Sequence, residues 1–248
     1  MEPVFRTLEI AATVAVKATG TTITYRGLHH LPASGGAVVA INHTGYVDWL
    51  PAALAAMHRG RRMRFMIKAE MGQIRSVGWL IRHTGTIPVD RQAGAGAYAA
   101  AVTALRRGEI VGVYPEATIS RSFELKEFKT GAARMALEAQ VPIVPLIVWG
   151  AQRLWTKDHP KSLGRNKIPI TVAVGESIAP TGTVDELLVA MREEMSELLH
   201  GAQAGYTHPP GAFWVPRRLG GSAPTPAEAR VLDEKELAER ARRRAERG

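Results

Sequence analysis

The stretch AVVAINHTGYVDWL (residues 37–50) changes character twice within a few residues. AVVAI (37–41) is an unbroken run of small and β-branched apolar residues, the pattern of a strand buried on both faces. Asn42, His43, Thr44 and Gly45 make a polar turn, and a helix is expected to start near Asp48. Outward from this strand–turn–helix unit the succession repeats. β-branched runs recur at TITY (22–25), RFMIK (64–68), TIPV (86–89), IVGVY (110–114), IVPLIVW (143–149) and ITVAV (170–174). Helical candidates lie at 48–58, 72–83, 95–107 and 130–140, with another at 184–200. Strand and helix alternating in this way predict an α/β domain with a mainly parallel sheet flanked by helices.

The ends read differently. From Glu2 to Ala18 apolar residues dominate, interrupted by Arg6, Glu9 and Lys17, which suits an amphipathic or apolar helix of about four turns lying on a membrane surface or docked on the domain. The interruptions leave no apolar run long enough to span a bilayer. Glu2 stands where a cleaved leader carries positive charge, so this segment is expected to stay in the mature chain. Tyr206 to Pro226 is rich in proline and glycine and reads as a linker wrapping back over the domain. Beyond it lies a charged helix laced by i,i+4 pairs such as Glu236 with Arg240, expected to be solvated and frayed. The expected units are therefore a helix over 1–20, the α/β domain over 21–205, and linker plus charged helix over 206–248.

The chain has 248 residues and 46% hydrophobic content, which excludes disorder throughout. With 32 Lys and Arg against 23 Asp and Glu the formal charge is +9, which favours an anionic partner: phospholipid, nucleic acid or a phosphorylated substrate. The absence of cysteine excludes disulfides, thiol catalysis and thiolate-bound zinc, and no histidines have HExxH spacing, so no metal is expected.

His43 falls at the C-terminal end of a strand, where ligands bind in open parallel sheets. It stands five residues before Asp48, about 140° around a helix, so the two meet only if His43 lies in the turn and Asp48 at the helix start. There the carboxylate fixes the ring tautomer and favours the imidazolium formed when the other nitrogen takes a proton. No GxSxG elbow supplies a serine, so the nucleophile would be a substrate hydroxyl deprotonated by His43. Further along, GTIPVDR (85–91) places Asp90 and Arg91 beyond one strand, VYPEATIS (113–120) places Pro115 and Glu116 beyond another, and VPIVPLIVWG (141–150) is a buried strand led by prolines.

In order and spacing these four blocks resemble the 1-acyl-sn-glycerol-3-phosphate acyltransferases, within the phospholipid/glycerol acyltransferase group. Lys68-Ala69-Glu70 with Gly78, and Lys129-Thr130-Gly131-Ala132, add to a likeness that covers about residues 20 to 180. The resemblance implies a glycerolipid acyltransferase-like αβα core. It implies transfer of a fatty acyl group from acyl-CoA or acyl-carrier protein to a hydroxyl of lysophosphatidic acid or a related lysophospholipid. His43 would be the general base, Asp48 its orienting partner, Arg91 the phosphate ligand, and Glu116 a shaper of the acceptor site, with Thr118 in the same block. Lys68 and Lys129 are further candidate substrate contacts. A thioester is already activated, so aligning a hydroxyl, removing its proton and stabilising an oxyanion suffice, with the thioester as co-substrate and no bound cofactor. The expected setting is the cytoplasmic face of the cell membrane, held peripherally on an anionic surface.

The third block departs from the family's Glu-Gly-Thr-Arg and reads Glu116-Ala117-Thr118-Ile119. Either Arg121 reaches in for the lost arginine, or the acceptor carries a larger head group, such as a phosphodiester or the sugar of a mannosylated lipid. Arg59, Arg61, Arg62 and Arg64 form a cluster suited to anionic lipid heads or to nucleic acid. A nucleic-acid module without catalysis would leave the His43/Asp48 turn unused, and 6% aromatic residues offer little stacking surface. Nucleic acid is not the expected partner.

Overall fold

The strand AVVAI lies at the middle of a seven-stranded sheet, buried along its whole length. The structure, a computed structural model, describes residues 3–68, 84–89 and 94–246. Its strands are β1 (Thr22–Arg26), β2 (Ala37–Ile41), β3 (Met63–Lys68), β4 (Ile87–Val89), β5 (Ile110–Val113), β6 (Ile143–Trp149) and β7 (Pro169–Val174). They run in the spatial order β1-β7-β6-β2-β5-β3-β4, and every pairing is parallel except β6 with β7. The described helices are α1 (Pro3–Thr19), α2 (Trp49–His58), α3 (Gly94–Arg106), α4 (Gly131–Ala139), α5 (Val184–Gln203) and α6 (Pro226–Ala245). The helix expected at 72–83 lies outside the described residues.

Alternation along the central strands divides the core into two layers. Val38, Ala40, Val111, Val113 and Ile143 face α3, α4 and α5, whose Leu105, Met135, Met191 and Met195 are buried against them. Ala37, Val39, Ile41, Val144 and Leu146 face the opposite side, where Ala52, Ala55 and Ala56 of α2 pack closely. These small residues bring α2 close under the sheet, and its N-terminus sits at the end of β2. Each fully buried Val, Leu or Ile contributes about 1.5–3 kcal/mol relative to exposure, so the central strands anchor the domain. α5 begins with a capping box, Thr183 accepting from the Glu186 N–H while the Glu186 carboxylate accepts from the Thr183 N–H.

Segment 206–226 does more than connect. Trp214, Val215 and Ala223 are buried in the same core layer as α5. Arg153 lies over the Trp214 ring at 4.3 Å, and the Tyr206 hydroxyl donates to the Pro169 carbonyl at 2.6 Å. Proline and glycine dominate its composition and mask the few apolar residues that carry it inward. α6 is exposed over most of its length, as its charges suggest, but it is also tied to the domain. The Glu236–Arg240 pair forms, but Asp233 and Glu236 turn inward to cations of the domain. A helix with so little apolar surface is fixed here by ion pairs.

Trp214→Ala should therefore destabilise the domain by about 3–5 kcal/mol, the usual cost of deleting a buried aromatic side chain, as read from urea unfolding. A change below about 1 kcal/mol would assign the segment to the surface.

Candidate active site

β2 and β5 are parallel neighbours in a register that pairs Ala40 with Val113. Continued three residues past the sheet, that register brings His43 opposite Glu116, and the His43 N–H donates to Glu116 Oε1 at 2.8 Å. Two strand ends thereby bring two of the candidate site residues to one point. Asn42 extends the sheet on the other flank. Its side-chain amide donates to the Val148 carbonyl at 3.1 Å and accepts from the Val148 N–H at 2.7 Å, replacing a backbone rung between β2 and β6.

The turn that follows closes on Asp48, a residue with no solvent exposure. Asp48 Oδ2 accepts from the N–H groups of Thr44 and Gly45, each at 2.7 Å, and lies 3.2 Å from His43 Nδ1. The carboxylate turns back into the loop and makes no side-chain cap to α2. An oxygen already accepting two backbone bonds acts as acceptor toward the ring as well. Of the two neutral tautomers, this contact favours the one with the hydrogen on Nδ1 and the lone pair on Nε2. His43 is further held by Tyr114, whose ring stacks on it with centroids 4.1 Å apart. Burial, then the charge of Asp48, hold the Tyr114 phenol well above its ordinary value, so it stays neutral beside the imidazole. Gly45 is required by close approach: a Cβ there would meet the Trp155 carbonyl oxygen at 2.8 Å.

Glu116 is 3% exposed. Burial pushes its carboxyl up to about 7, against the lowering effect of the N–H groups of Lys126 and His43, bound at 3.0 and 2.8 Å. Ala117 follows with φ +60°, the left-handed region that costs a residue bearing a Cβ about 1–2 kcal/mol. The family's glycine at this point suits that backbone, and the methyl of Ala117 keeps the conformation at the expense of strain.

His43, Tyr114, Ala117, Thr118, Ile119 and Lys129 line a cavity of about 1020 Å³. Leu8, Ala11, Ala12 and Ala15 of α1, Leu50 and Leu54 of α2 and Met135 of α4 supply much of its apolar wall. Thr118 Oγ1 accepts from Lys126 Nζ at 2.7 Å. Arg91 lies outside the described residues, as does the side chain of Lys68, which ends β3. Arg121 is not among the lining residues. Its guanidinium, 8% exposed, donates to Asp158 at 2.6 Å, to Glu236 at 2.9 Å and to Asp233. Burial alone would lower its pKa, but the bonds to Asp158 and Glu236 raise it above the ordinary arginine value. The expectation that Arg121 substitutes for the arginine missing at 119 is therefore corrected: it is committed to fixing α6.

The arginine cluster is also largely engaged in holding the fold. Arg59 donates to the Leu31 carbonyl, Arg61 to those of Pro32, Gly35 and Gly108, and Arg64 to Glu109 and the Thr84 carbonyl. Arg62 lies 3.6 Å from Glu9 of α1. Among the described residues no group of His, Asp and Glu could hold a metal ion, and no helix is long and apolar enough to cross a membrane. Sequence reasoning did not single out Tyr114 as the ring beside His43, nor Tyr46, Lys157 and Arg240, which also line the cavity. The aromatic closing the VPIVPLIVWG strand gave no clue to the loop at 155–157 that returns to the site, and no motif marked it.

The candidate site is therefore a histidine oriented by a buried carboxylate, at the C-terminal rim of a mainly parallel sheet and beside a large, mostly apolar cavity. The chain belongs to the acyltransferase family, whose model matches residues 22–149. Its relatives include the 1-acyl-sn-glycerol-3-phosphate acyltransferase of Bacillus subtilis, 31% identical over 122 residues, which are 49% of this chain and 59% of that protein. The human 1-acyl-sn-glycerol-3-phosphate acyltransferase alpha is 32% identical over 142 residues, 56% of this chain and 49% of that one. The chain thus matches between about half and three fifths of the length of these two relatives. The crystal structure of the 1-acyl-sn-glycerophosphate (LPA) acyltransferase PlsC from Thermotoga maritima shares the fold, with a TM-score of 0.68 over 82% of this chain and 81% of that one at 21% identity.

Two outcomes test the geometry. Glu116→Gln places an NH2 group against one of the two backbone N–H donors and should destabilise the protein by about 1–3 kcal/mol. Between the ordinary carboxyl value of 4.5 and about 7 the folded wild type keeps a proton that the unfolded chain has released, so its stability falls as pH rises. The variant lacks this slope, and the gap in unfolding free energy should be widest at the acid end and narrow toward pH 7. Ala117→Gly should raise stability by about 0.5–1 kcal/mol in urea melts, since relief of the left-handed strain exceeds the added entropy of the unfolded chain.

Proposed function

We propose that the chain moves a fatty acyl group from acyl-CoA or acyl-carrier protein to a hydroxyl of lysophosphatidic acid or a related lysophospholipid. The observation that carries this reading is the His43–Asp48 pair at 3.2 Å, opening on an apolar cavity large enough for a lipid chain. Names of relatives from Bacillus subtilis and Homo sapiens support the acceptor class. In this mechanism the acceptor's hydroxyl donates to His43 Nε2. As its oxygen attacks the thioester carbonyl, the ring takes the proton and Asp48 stabilises the resulting imidazolium. Collapse of the tetrahedral intermediate expels the thiolate, which takes up the proton, and the acyl group leaves on the acceptor as an ester. Tyr114 keeps the ring from rotating out of line, and Glu116 holds the His43 backbone in place. Arg91 binds acceptor phosphate in this reading, and Lys129, at the cavity wall, stands by the substrate's polar groups, with Lys68 a further substrate contact. A peripheral position on the cytoplasmic face of an anionic membrane follows from the lipid substrates, and α1, with Ile10 and Val14 exposed, is the segment suited to it.

With purified protein, palmitoyl-CoA and lysophosphatidic acid, release of free CoA should depend on the acceptor. His43→Ala should lower kcat by about 10²- to 10⁴-fold with little change in acceptor KM. Near-normal turnover in that variant would remove the base from the mechanism.

A further inference from the structure

The cavity that holds His43 is also lined by two cations from outside the family's matched segment, Lys157 and Arg240. One carboxylate bridges them. Glu236 Oε2 lies 2.8 Å from Lys157 Nζ, while its Oε1 pairs with Arg240. Two cations that already share one small oxyanion have the spacing to share another.

Lys157 is tied closely to the catalytic turn. The Trp155 carbonyl accepts from the Tyr46 N–H at 2.9 Å, and Thr156 Oγ1 donates to the Thr44 carbonyl at 2.7 Å, so the loop at 155–157 lies across the turn between His43 and Asp48. The Lys157 side chain is 11% exposed and so is largely ordered before any ligand arrives. Arg240 is 53% exposed and has room to move from Glu236 to an incoming anion. Position 119 is a buried isoleucine, and Arg121 does not line the cavity and is engaged by three carboxylates, so neither offers the cavity an available cation. Among the described residues this corner gathers four cations, Arg121, Lys126, Lys157 and Arg240, against three carboxylates, Asp158, Asp233 and Glu236. Burial would raise the Glu236 carboxyl, but bonds from Lys157 and Arg121 hold it down to about 2, so it remains an anion throughout the working range.

We propose that Lys157 and Arg240 form an anion site that receives the phosphate monoester of the acceptor, additional to the contact assigned to Arg91 above, with Glu236 occupying that site until the acceptor arrives. The inference rests on the reaction proposed above and adds a specificity determinant to it. A phosphate monoester carries about −1.5 to −2 charge against −1 for a carboxylate, so it competes with Glu236 for the two cations, while Glu236 keeps Arg121. α6 is then a wall of the acceptor site, and the missing arginine of the third block is replaced from the C-terminal end of the chain.

The test compares wild type, Arg240→Gln and Arg243→Gln, the last a neighbouring arginine on α6 that is 71% exposed and pairs with Glu239. Steady-state kinetics with lysophosphatidic acid and with an uncharged monoacylglycerol are run beside equilibrium dialysis of a short-chain lysophosphatidic acid, which reads binding without turnover. In Arg240→Gln the KM and the dissociation constant for lysophosphatidic acid should rise about tenfold, while kcat, the KM for palmitoyl-CoA and turnover of monoacylglycerol stay within about twofold. Arg243→Gln should change none of these. Unchanged lysophosphatidic acid binding in Arg240→Gln overturns the site, as does a rise shared by monoacylglycerol or one appearing only in the KM for palmitoyl-CoA. Binding that weakens in Arg240→Gln with no turnover of any acceptor by wild type would uphold the site and sink the acyl-transfer reading.

Discussion

A carboxylate removed from water needs hydrogen bonds to stay in place, and the turn after β2 concentrates them on one oxygen of Asp48, Oδ2, while Oδ1 is buried without a partner. The two backbone N–H groups that satisfy Oδ2 belong to Thr44 and Gly45, so the chain curls back over the start of α2, and the curl is what lays the His43 ring against the same oxygen. Orientation of the His43 ring and folding of the loop are one interaction. The fit of the surroundings follows from it: Gly45 leaves room for the Trp155 carbonyl, Ser120 N–H reaches the His43 carbonyl at 2.8 Å, and Tyr114 closes the remaining side of the ring.

The parallel register of β2 and β5 gives this local device its chemical context. Neighbouring parallel strands end at the same rim, so Glu116 meets the His43 backbone without any long connecting element. Its carboxyl is buried and pushed up to about 7, and holding it there costs stability near neutral pH. Ala117 adds a left-handed backbone immediately afterwards. Strain and unfavourable burial fall on the rim, while the strands beneath are continuous apolar runs. That division is expected where a rigid sheet carries a pre-organised site.

The sheet was legible because buried parallel strands read as unbroken β-branched runs: AVVAI and IVPLIVW match β2 and β6 residue for residue. The His43–Asp48 geometry was legible too, since a five-residue separation permits contact only across a strand–turn–helix junction. Long-range partners were hidden. Which ring stacks on His43 depends on the order of strands in space, and the 155–157 loop is anchored by one backbone bond, Tyr46 N–H to the Trp155 carbonyl, and one hydroxyl, Thr156 to the Thr44 carbonyl, neither of which a motif marks. Arg121 misled for a related reason. Its proximity in sequence to Ile119 suggested a substitute phosphate ligand, whereas its three acidic partners lie up to 115 residues away.

The charged C-terminal helix shows how composition can hide a tertiary role. Thirteen or so charges of both signs resemble a solvated helix, yet the Coulomb gain of an exposed pair is at most about 1 kcal/mol and cannot by itself order a helix. What differs here is that Arg121 and Lys157 are mostly withdrawn from solvent, where an unpaired cation is costly and a carboxylate is required. Asp233 and Glu236, three residues apart, lie on one face of α6 and meet that requirement together. The domain's need to neutralise its buried cations is what brings α6 to the mouth of the cavity. Arg240, one turn further along the same face, therefore arrives at the site as a consequence of how the helix is held.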